Sequence, residues 1–443
     1  MASAYLTRTP SSTGNRKLFT FSCWFKKCST GVDAGIFNQY ENDNNYFRIR
    51  FRSSDKLQID DKDSGVTIFS LILSKVQRDT NGFYHLVVAY DSAQSTEADR
   101  VKIYINGVLE TALDTSSYPS QNANAFMNLA GHVVQIARTR PSGPHYLNGL
   151  MTHVHFIDGT AYPASTFGES DSNGVWIPKP SPSVTYGTNG FFLKMDNSGN
   201  MGLDSSGQSN NLTTSGTITQ AKDTPSNVFA TMNALDNFYA NATLSNGNTT
   251  VATNASNETY ITSTLAVSTG KYYWEVEYDA GSDNSFIGII DRVSDSTSFQ
   301  AYIDATNGIS YKKNGSIYTN GGNMSGVNIG TYTTGDIISV AMDLDNNKLY
   351  FGKNGSWLNS GVPTSGSTGT GAFSINSSPK DGVYYAQVGD DNTGSQTLKC
   401  NFGNGYFGTT AVTSAGTNAS GNGIFEYDVP TGYTALSTKG LNS

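Results

Sequence analysis

The chain has 443 residues, a formal net charge of −8 and a charged fraction of 14%, whereas about 25% is usual. Tyr and Phe dominate the large apolar residues, with 25 and 22 copies. Aromatic and β-branched runs between turn-forming residues are typical of all-β proteins and exclude a disordered chain. The negative charge argues against nucleic acid and anionic membranes as partners, because both require a Lys/Arg patch.

Cysteine content and the N-terminal residues indicate the compartment. Cys23, Cys28 and Cys400 form an odd, sparse set, which argues against a disulfide-stapled secreted domain, although a strained Cys23–Cys28 bridge is left open. The N-terminus lacks the apolar region of a signal peptide, and no run approaches the roughly 18 apolar residues of a membrane span. We predict a protein that is made in a cytoplasm and does not insert into membranes.

Runs that alternate between apolar and polar residues predict strands through the first part of the chain. Residues 68–76 fit either a strand or a helix. The predicted strands are residues 17–26, 34–40, 46–51, 56–60, 83–91, 100–108, 133–137 and 150–157.

One pattern occurs twice, at residues 83–108 and 336–355. In each copy an apolar run ends at an Asp, the chain turns, and a second run closes on Asn-Gly. In the first copy Leu86, Val88 and Tyr90 should share one buried face. Two distant copies indicate two β-sandwiches of related design rather than a short-period solenoid.

Residues 161–240 lack this periodicity, and three prolines between 178 and 182 exclude a helix there. Because Trp176, Phe191 and Phe192 are aromatic anchors that a free linker would lack, we predict an ordered, largely irregular connector that packs along both sandwiches. The predicted domains are residues 1–160, the connector 161–240, a second sandwich 241–410 and a C-terminal tail 411–443, which should dock at least partly.

Residues 138–159 resemble the closing strand of a laminin G-like (concanavalin A-like) jelly roll, in which a Tyr/Phe-x-Gly turn leads into the last strand. Upstream of them, Trp24 and the runs at 83–86 and 101–107 stand in the order that is expected for that family. The resemblance covers residues 1–160 and implies an antiparallel jelly-roll sandwich.

Modules of that family often bind calcium at loop tips, and oxygen ligands suit this ion. The resemblance therefore implies Asp33, Asp43 and Asp91 as candidate calcium ligands. Nothing in the sequence makes them converge, and solvated turn residues are the alternative. No other cofactor is predicted.

Residues 270–278 resemble the strand that marks SPRY (B30.2-related) sandwiches. A Gly-rich insertion at 361–371 departs from that family and predicts a flexible loop. The matching pieces that follow in the family's order are residues 285–290, 337–345, 348–357, 383–389 and 398–403.

The two modules and their connector resemble bacteriophage virion proteins in which a laminin G-like module precedes a second sandwich. This resemblance implies a non-catalytic structural protein at the virion surface, as a head decoration or fibre or a tail-fibre component. Its lectin-like sandwiches would bind a host-surface glycan or protein. Other virion proteins would be partners, and the chain would form a homo-oligomer, with a trimer among the options.

Aromatic and amide side chains in the second module suggest a shallow ligand site, because sugars are bound by aromatic faces and planar hydrogen-bonding groups. The candidates are Tyr311, Tyr318, Asn320 and Trp357. The alternative is that Trp357 packs under its own hairpin.

A polysaccharide depolymerase is the alternative function, because such enzymes place two carboxyls about 5–5.5 Å apart for retention. Glu275 and Glu277 alternate on one strand with Asp279 nearby, but Glu residues of a SPRY-like strand should face solvent. His153 and His155 alternate without a third metal ligand at a recognisable spacing. We predict no enzymatic activity; a cellular adhesin or interaction protein is a third option.

Overall fold

The computed structural model describes residues 4–139, 145–172, 174–237, 241–281, 285–293, 307–319, 322–391 and 394–442. Within these residues the secondary structure is β-strand, apart from four short 3-10 turns. The predicted all-β class, built from antiparallel sandwich sheets, is confirmed. By its internal contacts the chain divides into two units, Met1–Gln220 and Ala221–Ser443.

The first unit contains sixteen described strands and two 3-10 turns, at Glu97–Asp99 and Ala164–Thr166. The strands are β1 Tyr5–Arg8, β2 Leu18–Lys27, β3 Ala34–Asn42, β4 Asn45–Phe51, β5 Lys56–Asp63, β6 Val66–Val76, β7 Tyr84–Asp91, β8 Val101–Ile105, β9 Val108–Leu109, β10 Leu113–Ser117, β11 Val133–Ile136, β12 Gly149–Asp158, β13 Gly168–Ser170, β14 Trp176–Pro178, β15 Phe191–Leu193 and β16 Thr213–Ser215.

Two sheets of this unit form a sandwich. The larger has the strand order β10-β6-β5-β4-β3-β11-β1-β16, and the smaller has the order β15-β12-β2-β7-β8-β9. Phe21 of β2 stacks on Phe37 of β3 with 4.3 Å between ring centroids, and Phe19 meets Phe47 edge-on at 5.5 Å. Aromatic contacts of this kind join the two inner faces into one core.

The middle strands of the smaller sheet, β2 and β7, are buried on both faces. Leu86, Val88 and Tyr90 of β7 lie in the core, as predicted. Val87 points the other way and packs in a second cluster with residues of the segment that follows β12, among them Phe167. The period-two pattern therefore describes the inner face of β7 correctly, but it does not reveal that a later segment covers the outer face.

The boundary between the two units falls inside the predicted connector. Strand β15 extends the smaller sheet of the first unit, and β16 extends the larger one. Beyond Ala221 the chain packs in the second unit, where Ala230 N–H donates to the Leu436 carbonyl at 2.9 Å and Met232 N–H donates to Asn248 at 2.8 Å. Each stretch of the connector thus serves as an edge or a cover of its own unit.

The second unit contains seventeen described strands and two 3-10 turns, at Pro363–Thr368 and Gly440–Asn442. The strands are β17 Thr243–Ser245, β18 Thr250–Ala252, β19 Thr259–Val267, β20 Lys271–Ala280, β21 Ser285–Ile290, β22 Ile309–Lys312, β23 Ser316–Thr319, β24 Gly322–Asn328, β25 Ile337–Asp343, β26 Lys348–Lys353, β27 Ser356–Trp357, β28 Phe373–Ser374, β29 Tyr384–Asp390, β30 Thr397–Asn401, β31 Tyr406–Phe407, β32 Thr410–Ala411 and β33 Thr434–Ala435.

This unit is also a sandwich. A nine-stranded sheet follows the path β17-β18-β30-β20-β25-β26-β27, with β28 paired to β26 and β33 to β20. A six-stranded sheet has the order β19-β29-β21-β22-β23-β24. Tyr311 of the smaller sheet lies 5.4 Å from Phe351 of the larger one, between ring centroids. Trp274 of β20 is fully buried in the same core.

The C-terminal tail covers the outer face of the nine-stranded sheet. Phe425 packs edge-on against Tyr273 at 4.9 Å between ring centroids, and β33 pairs in parallel with β20. Tyr433 is buried, and its hydroxyl donates to the Pro363 carbonyl at 3.0 Å. Both units therefore use the segment that follows a sandwich to bury that sandwich's outer face.

Several local expectations are settled by the structure. Residues 68–76, which fitted a strand or a helix, form part of strand β6. All three cysteines are buried and none is in a disulfide bond, so the Cys23–Cys28 bridge is absent. Asn347 adopts a φ of +56° in the turn between β25 and β26, a conformation that Asn tolerates. The predicted flexible loop at 361–371 contains a 3-10 turn.

None of the described helical segments is long and apolar enough to cross a membrane.

Candidate functional site

Tyr311 and Tyr318 do not form one binding surface. Tyr311 is fully buried, and its hydroxyl donates to the Gly330 carbonyl at 2.7 Å. It pairs with Ile317, whereas Tyr318 pairs with Ser310, so the two Tyr side chains point to opposite faces of the sheet. The prediction of Tyr311 as a ligand residue is wrong, because its ring fills the core.

Trp357 packs under its own hairpin, which was the alternative to a ligand-binding role. Its ring packs against Tyr273 at 6.4 Å and Tyr350 at 6.5 Å between centroids. Asn320 lies outside the described residues. Tyr318 remains partly exposed, but the Lys312 ammonium sits over its ring at 3.5 Å from the centroid. The aromatic site predicted from the sequence is therefore not assembled by the described residues.

The three calcium candidates are separated by the fold. Asp33 and Asp43 flank opposite ends of strand β3, about 30 Å apart at the usual rise per residue. Asp91 ends strand β7 in the other sheet and accepts a hydrogen bond from Gln94 Nε2 at 2.6 Å. Within the described residues no three His, Cys, Asp or Glu side chains are grouped as a metal site. Calcium binding stays a prediction, and these three residues do not converge on one ion.

Glu275 contradicts the prediction that it faces solvent. Its carboxylate is fully buried under the tail, where it accepts the N–H groups of Glu426 and Tyr427 and the Tyr273 hydroxyl, each at 2.9 Å. Burial raises the pKa of Glu275 to about 7. A raised carboxyl pKa is typical of a catalytic acid, but these contacts leave no substrate cleft, so Glu275 is an anchor for the tail. Glu277 forms an ion pair with Lys399 at 3.6 Å.

A buried Ser–His pair lies on the outer face of the smaller sheet in the first unit. Ser22 Oγ and His85 Nε2 are 3.0 Å apart, which is a geometry shared with hydrolase nucleophiles. However, Trp176 Nε1 donates to His85 Nδ1 at 3.0 Å, so Nδ1 is unprotonated and Nε2 carries the ring proton. His85 therefore donates to Ser22 and does not act as its base, and burial lowers the pKa of His85 to about 3.

His153 and His155 also differ from the prediction. A bulge interrupts β12 between Thr152 and His155, with a φ of +47° at His153, so the simple alternation on one face is broken. His155 is fully buried, and its Nδ1 lies 3.0 Å from the Tyr186 hydroxyl. His155 thereby holds Phe167 and Tyr186 against the sheet, whereas His153 contacts Phe192 of β15.

Substituting Trp176 with phenylalanine is expected to lower the free energy of unfolding of the first unit by about 1–3 kcal/mol, because buried His85 Nδ1 loses its donor. Trp24→Phe is the matched control. Trp24 stacks on the same imidazole at 4.7 Å, but its Nε1 has no hydrogen-bond partner among the described residues. Urea unfolding of both variants measures the difference. Greater destabilisation by Trp24→Phe than by Trp176→Phe would contradict the role given to the Trp176–His85 hydrogen bond.

The outer face of the larger sheet in the first unit carries a polar cluster that we call the arginine face. It consists of Arg48 and Arg50 on β4 and of Gln58 and Asp60 on β5. The strands pair Arg48 with Asp60 and Arg50 with Gln58. Alternate residues of β4, such as Ile49, point into the core, so a rigid sheet presents the polar side chains outward.

The two arginines of this face have different partners. Asp60 binds Arg48 through two hydrogen bonds of 2.8 Å, from Nε and Nη2, and also accepts the Tyr46 hydroxyl at 3.1 Å. Arg50 donates from Nε and Nη2 to the neutral Gln58 amide oxygen, at 3.1 and 2.9 Å. Arg48 is thus neutralised, whereas Arg50 is oriented by an uncharged group.

Arg50 also forms a long ion pair with a carboxylate. Its Nη1 is 3.5 Å from Asp33 Oδ2, and Asp33 also accepts the Ser53 N–H at 2.7 Å. Burial lowers the pKa of Arg50, and the nearby Arg48 charge lowers it further. The Arg50 side chain is 17% exposed. The sequence signal for this site is three arginines at positions 48, 50 and 52, a pattern that the sequence analysis did not single out.

The second unit contains a polar recess of about 360 Å³ between its tail and the start of β20. Lys271 at this recess forms an ion pair with buried Asp343 at 3.0 Å, and Asp345 accepts the Gly270 N–H at 2.8 Å. Since the Lys271 cation is already paired with Asp343, the recess offers less to an anionic ligand than the arginine face does.

A comparison with known protein families finds a match for the first unit. Residues 2–165 match a laminin G family model described as the concanavalin A-like lectin/glucanases superfamily. The first unit therefore has a concanavalin A-like fold of the laminin G type, and the match covers less than half of the chain. No curated protein sequence matches the chain significantly.

Three solved structures are similar to parts of the chain at low sequence identity. The SPRY domain of human HERC1 is 16% identical with a TM-score of 0.31, covering 38% of this chain and 96% of that one. A SAP-like pentraxin from Limulus polyphemus is 12% identical with a TM-score of 0.28, covering 36% and 72%. A putative carbohydrate-binding protein from Bacteroides ovatus is 15% identical with a TM-score of 0.29, covering 49% and 58%. These similarities are too distant to transfer a function.

Proposed function

We propose that this chain is a non-catalytic carbohydrate-binding protein of a bacteriophage virion surface and that the arginine face binds the glycan. The arginine face carries this proposal. In the lectin-type unit, strands β4 and β5 hold its hydrogen-bonding side chains on one face. The two arginines are 13% and 17% exposed, and Gln58 and Asp60 are buried beside them. Sugars offer many hydroxyl groups in a fixed arrangement, and rigidly placed polar side chains recognise them with little loss of entropy.

The non-catalytic part of the proposal is supported by the surroundings of two candidate reactive groups. The Glu275 carboxylate is saturated by hydrogen bonds from the tail. The Ser22–His85 pair is buried, with the ring proton directed at serine. Neither group can reach a polysaccharide without unfolding the segment that covers it.

The virion part of the proposal is supported by the order of the modules, a laminin G-like sandwich followed by a second sandwich. In this proposal the chain is made in the host cytoplasm and displayed on the head or tail as a homo-oligomer, next to other virion proteins. Immunogold labelling with antibodies against the full chain should mark virus particles. Labelling confined to bacterial cells would favour the adhesin function instead.

The binding function is tested by presenting the full chain to an array of bacterial surface polysaccharides. We expect a subset to bind without release of new reducing ends during prolonged incubation. If reducing ends appear, the Glu275→Gln variant identifies the source, because loss of cleavage in this variant would establish the depolymerase alternative. Failure to bind any polysaccharide would refute the proposed function.

A further inference from the structure

We infer that the bound glycan is an acidic polysaccharide and that Arg50 receives its anionic group, a carboxylate or sulfate. This inference rests on the proposed function. A guanidinium presents five N–H donors in one plane and binds a planar carboxylate through two parallel hydrogen bonds. In Arg50 the fixed contacts to Gln58 set the plane of the group, while its contact with a carboxylate, from Nη1 to Asp33, is long at 3.5 Å.

Arg48 is excluded as the receiving group by its own contacts. Its two hydrogen bonds to Asp60 already satisfy the geometry that a ligand carboxylate requires. The ion pair has side chains only 13% and 6% exposed. Displacing Asp60 would leave a largely buried carboxylate without its cation, which is strongly unfavourable. Arg48 therefore stays paired with Asp60 and is not available to a ligand anion.

Asp33 is the group that a ligand anion must displace or approach. Its 3.5 Å separation from Arg50 Nη1 is long for a charge-assisted hydrogen bond. The Ser53 N–H holds Asp33 in place at 2.7 Å, and His145 Nδ1 lies 3.8 Å away. Because Asp33 competes with the ligand and repels it, removing the Asp33 charge should tighten binding to an acidic glycan.

The surroundings of Arg50 favour an anion although the chain as a whole is negative. Arg52 is exposed directly after β4, and Lys62 of β5 is partly exposed beside Tyr46. The three arginines at positions 48, 50 and 52 exceed the two carboxylates that act on Arg50, those of Asp33 and Asp60, by one charge, and such an excess attracts acidic polymers. The interspersed carboxylates and the overall charge of −8 disfavour the continuous phosphate backbone of a nucleic acid, which is the other class of polyanion.

The test measures binding of the full chain to polygalacturonate, polysialic acid, dextran sulfate, neutral dextran and double-stranded DNA. We expect the acidic polysaccharides to bind and to weaken as the salt concentration rises. Arg50→Gln should reduce affinity about 10- to 100-fold, since a charge-assisted pair is lost. Arg50→Lys should restore only part of it, and Asp33→Asn should increase affinity. Preference for the carboxylated or the sulfated polymers identifies the anionic group.

The matched control is Lys102→Gln, which removes the same charge from the other sheet of this unit and should leave binding unchanged. Thermal unfolding of Arg50→Gln close to that of the parent excludes misfolding. Binding of neutral glycans alone, indifferent to Arg50→Gln, would overturn this inference and leave the glycan-binding function. Arg50-dependent binding of DNA without any polysaccharide would overturn both.

Discussion

Replacing Glu275 with alanine is expected to lower the free energy of unfolding of the second unit by about 3–5 kcal/mol. The N–H groups of Glu426 and Tyr427 and the Tyr273 hydroxyl would lose their acceptor at once, and each unsatisfied group costs about 1–3 kcal/mol. Because these contacts hold the tail on the sheet, we also expect the tail to become sensitive to limited proteolysis.

The matched control is Glu277→Ala, two residues along the same strand. Glu277 is partly exposed, and its ion pair with Lys399 spans 3.6 Å, so its loss should cost less than about 1 kcal/mol. Denaturant unfolding and proteolysis of both variants measure the difference. Equal destabilisation, or a tail that stays protected in Glu275→Ala, would show that the buried carboxylate is not the anchor of the tail.

Acidification from pH 7.5 to pH 5.5 is expected to shift the unfolding of the two units in opposite directions, by about 5 °C each. In the second unit burial raises the pKa values of Glu275 and Asp390 to about 7, from ordinary values of 4.5 and 3.8. Below pH 7 the folded state therefore binds more protons than the unfolded state. The stability of this unit should rise as the pH falls.

The first unit should respond in the opposite sense because it contains all five histidines. Burial lowers the pKa of His85 to about 3 and also lowers those of His153 and His155. Below pH 6.5 these histidines bind protons in the unfolded state but stay neutral in the folded state. The stability of the first unit therefore falls as the pH falls. Asp61, with a pKa that burial raises, offsets part of this loss.

Calorimetry of the full chain across this pH range measures both transitions. Glu275→Gln should weaken the pH response of the second unit, with the remainder due to Asp390, and leave that of the first unit unchanged, which assigns the transitions. If both transitions fell together on acidification, the carboxyl groups of the second unit would not be protonated in the folded state as described.

The alternating patterns predicted the sandwiches because strand periodicity is a local property. Leu86 and Val88 lie in the core as their spacing required, since side chains alternate between the two faces of any strand. The repeated strand–turn–strand pattern likewise marks β7–β8 in one unit and β25–β26 in the other. Such features need no knowledge of distant residues.

The site residues were less predictable, because each depends on what lies across or above its strand. Glu275 has the alternation of a solvent-facing residue, and only the tail, about 150 residues later, decides that it is buried. Tyr311 was taken for a ligand residue by its type alone, although its strand register points it into the core.

Local sequence thus established an all-β chain with two related sandwiches and a low, negative charge, because composition and period-two alternation are readable residue by residue. Only the tertiary structure decided which outer faces of the sheets are covered. It also decided which of the two arginines on β4 has a neutral partner on the neighbouring strand. The register of β4 against β5 gives Arg48 the carboxylate and Arg50 the amide. That choice depends on long-range pairing, which no local pattern encodes.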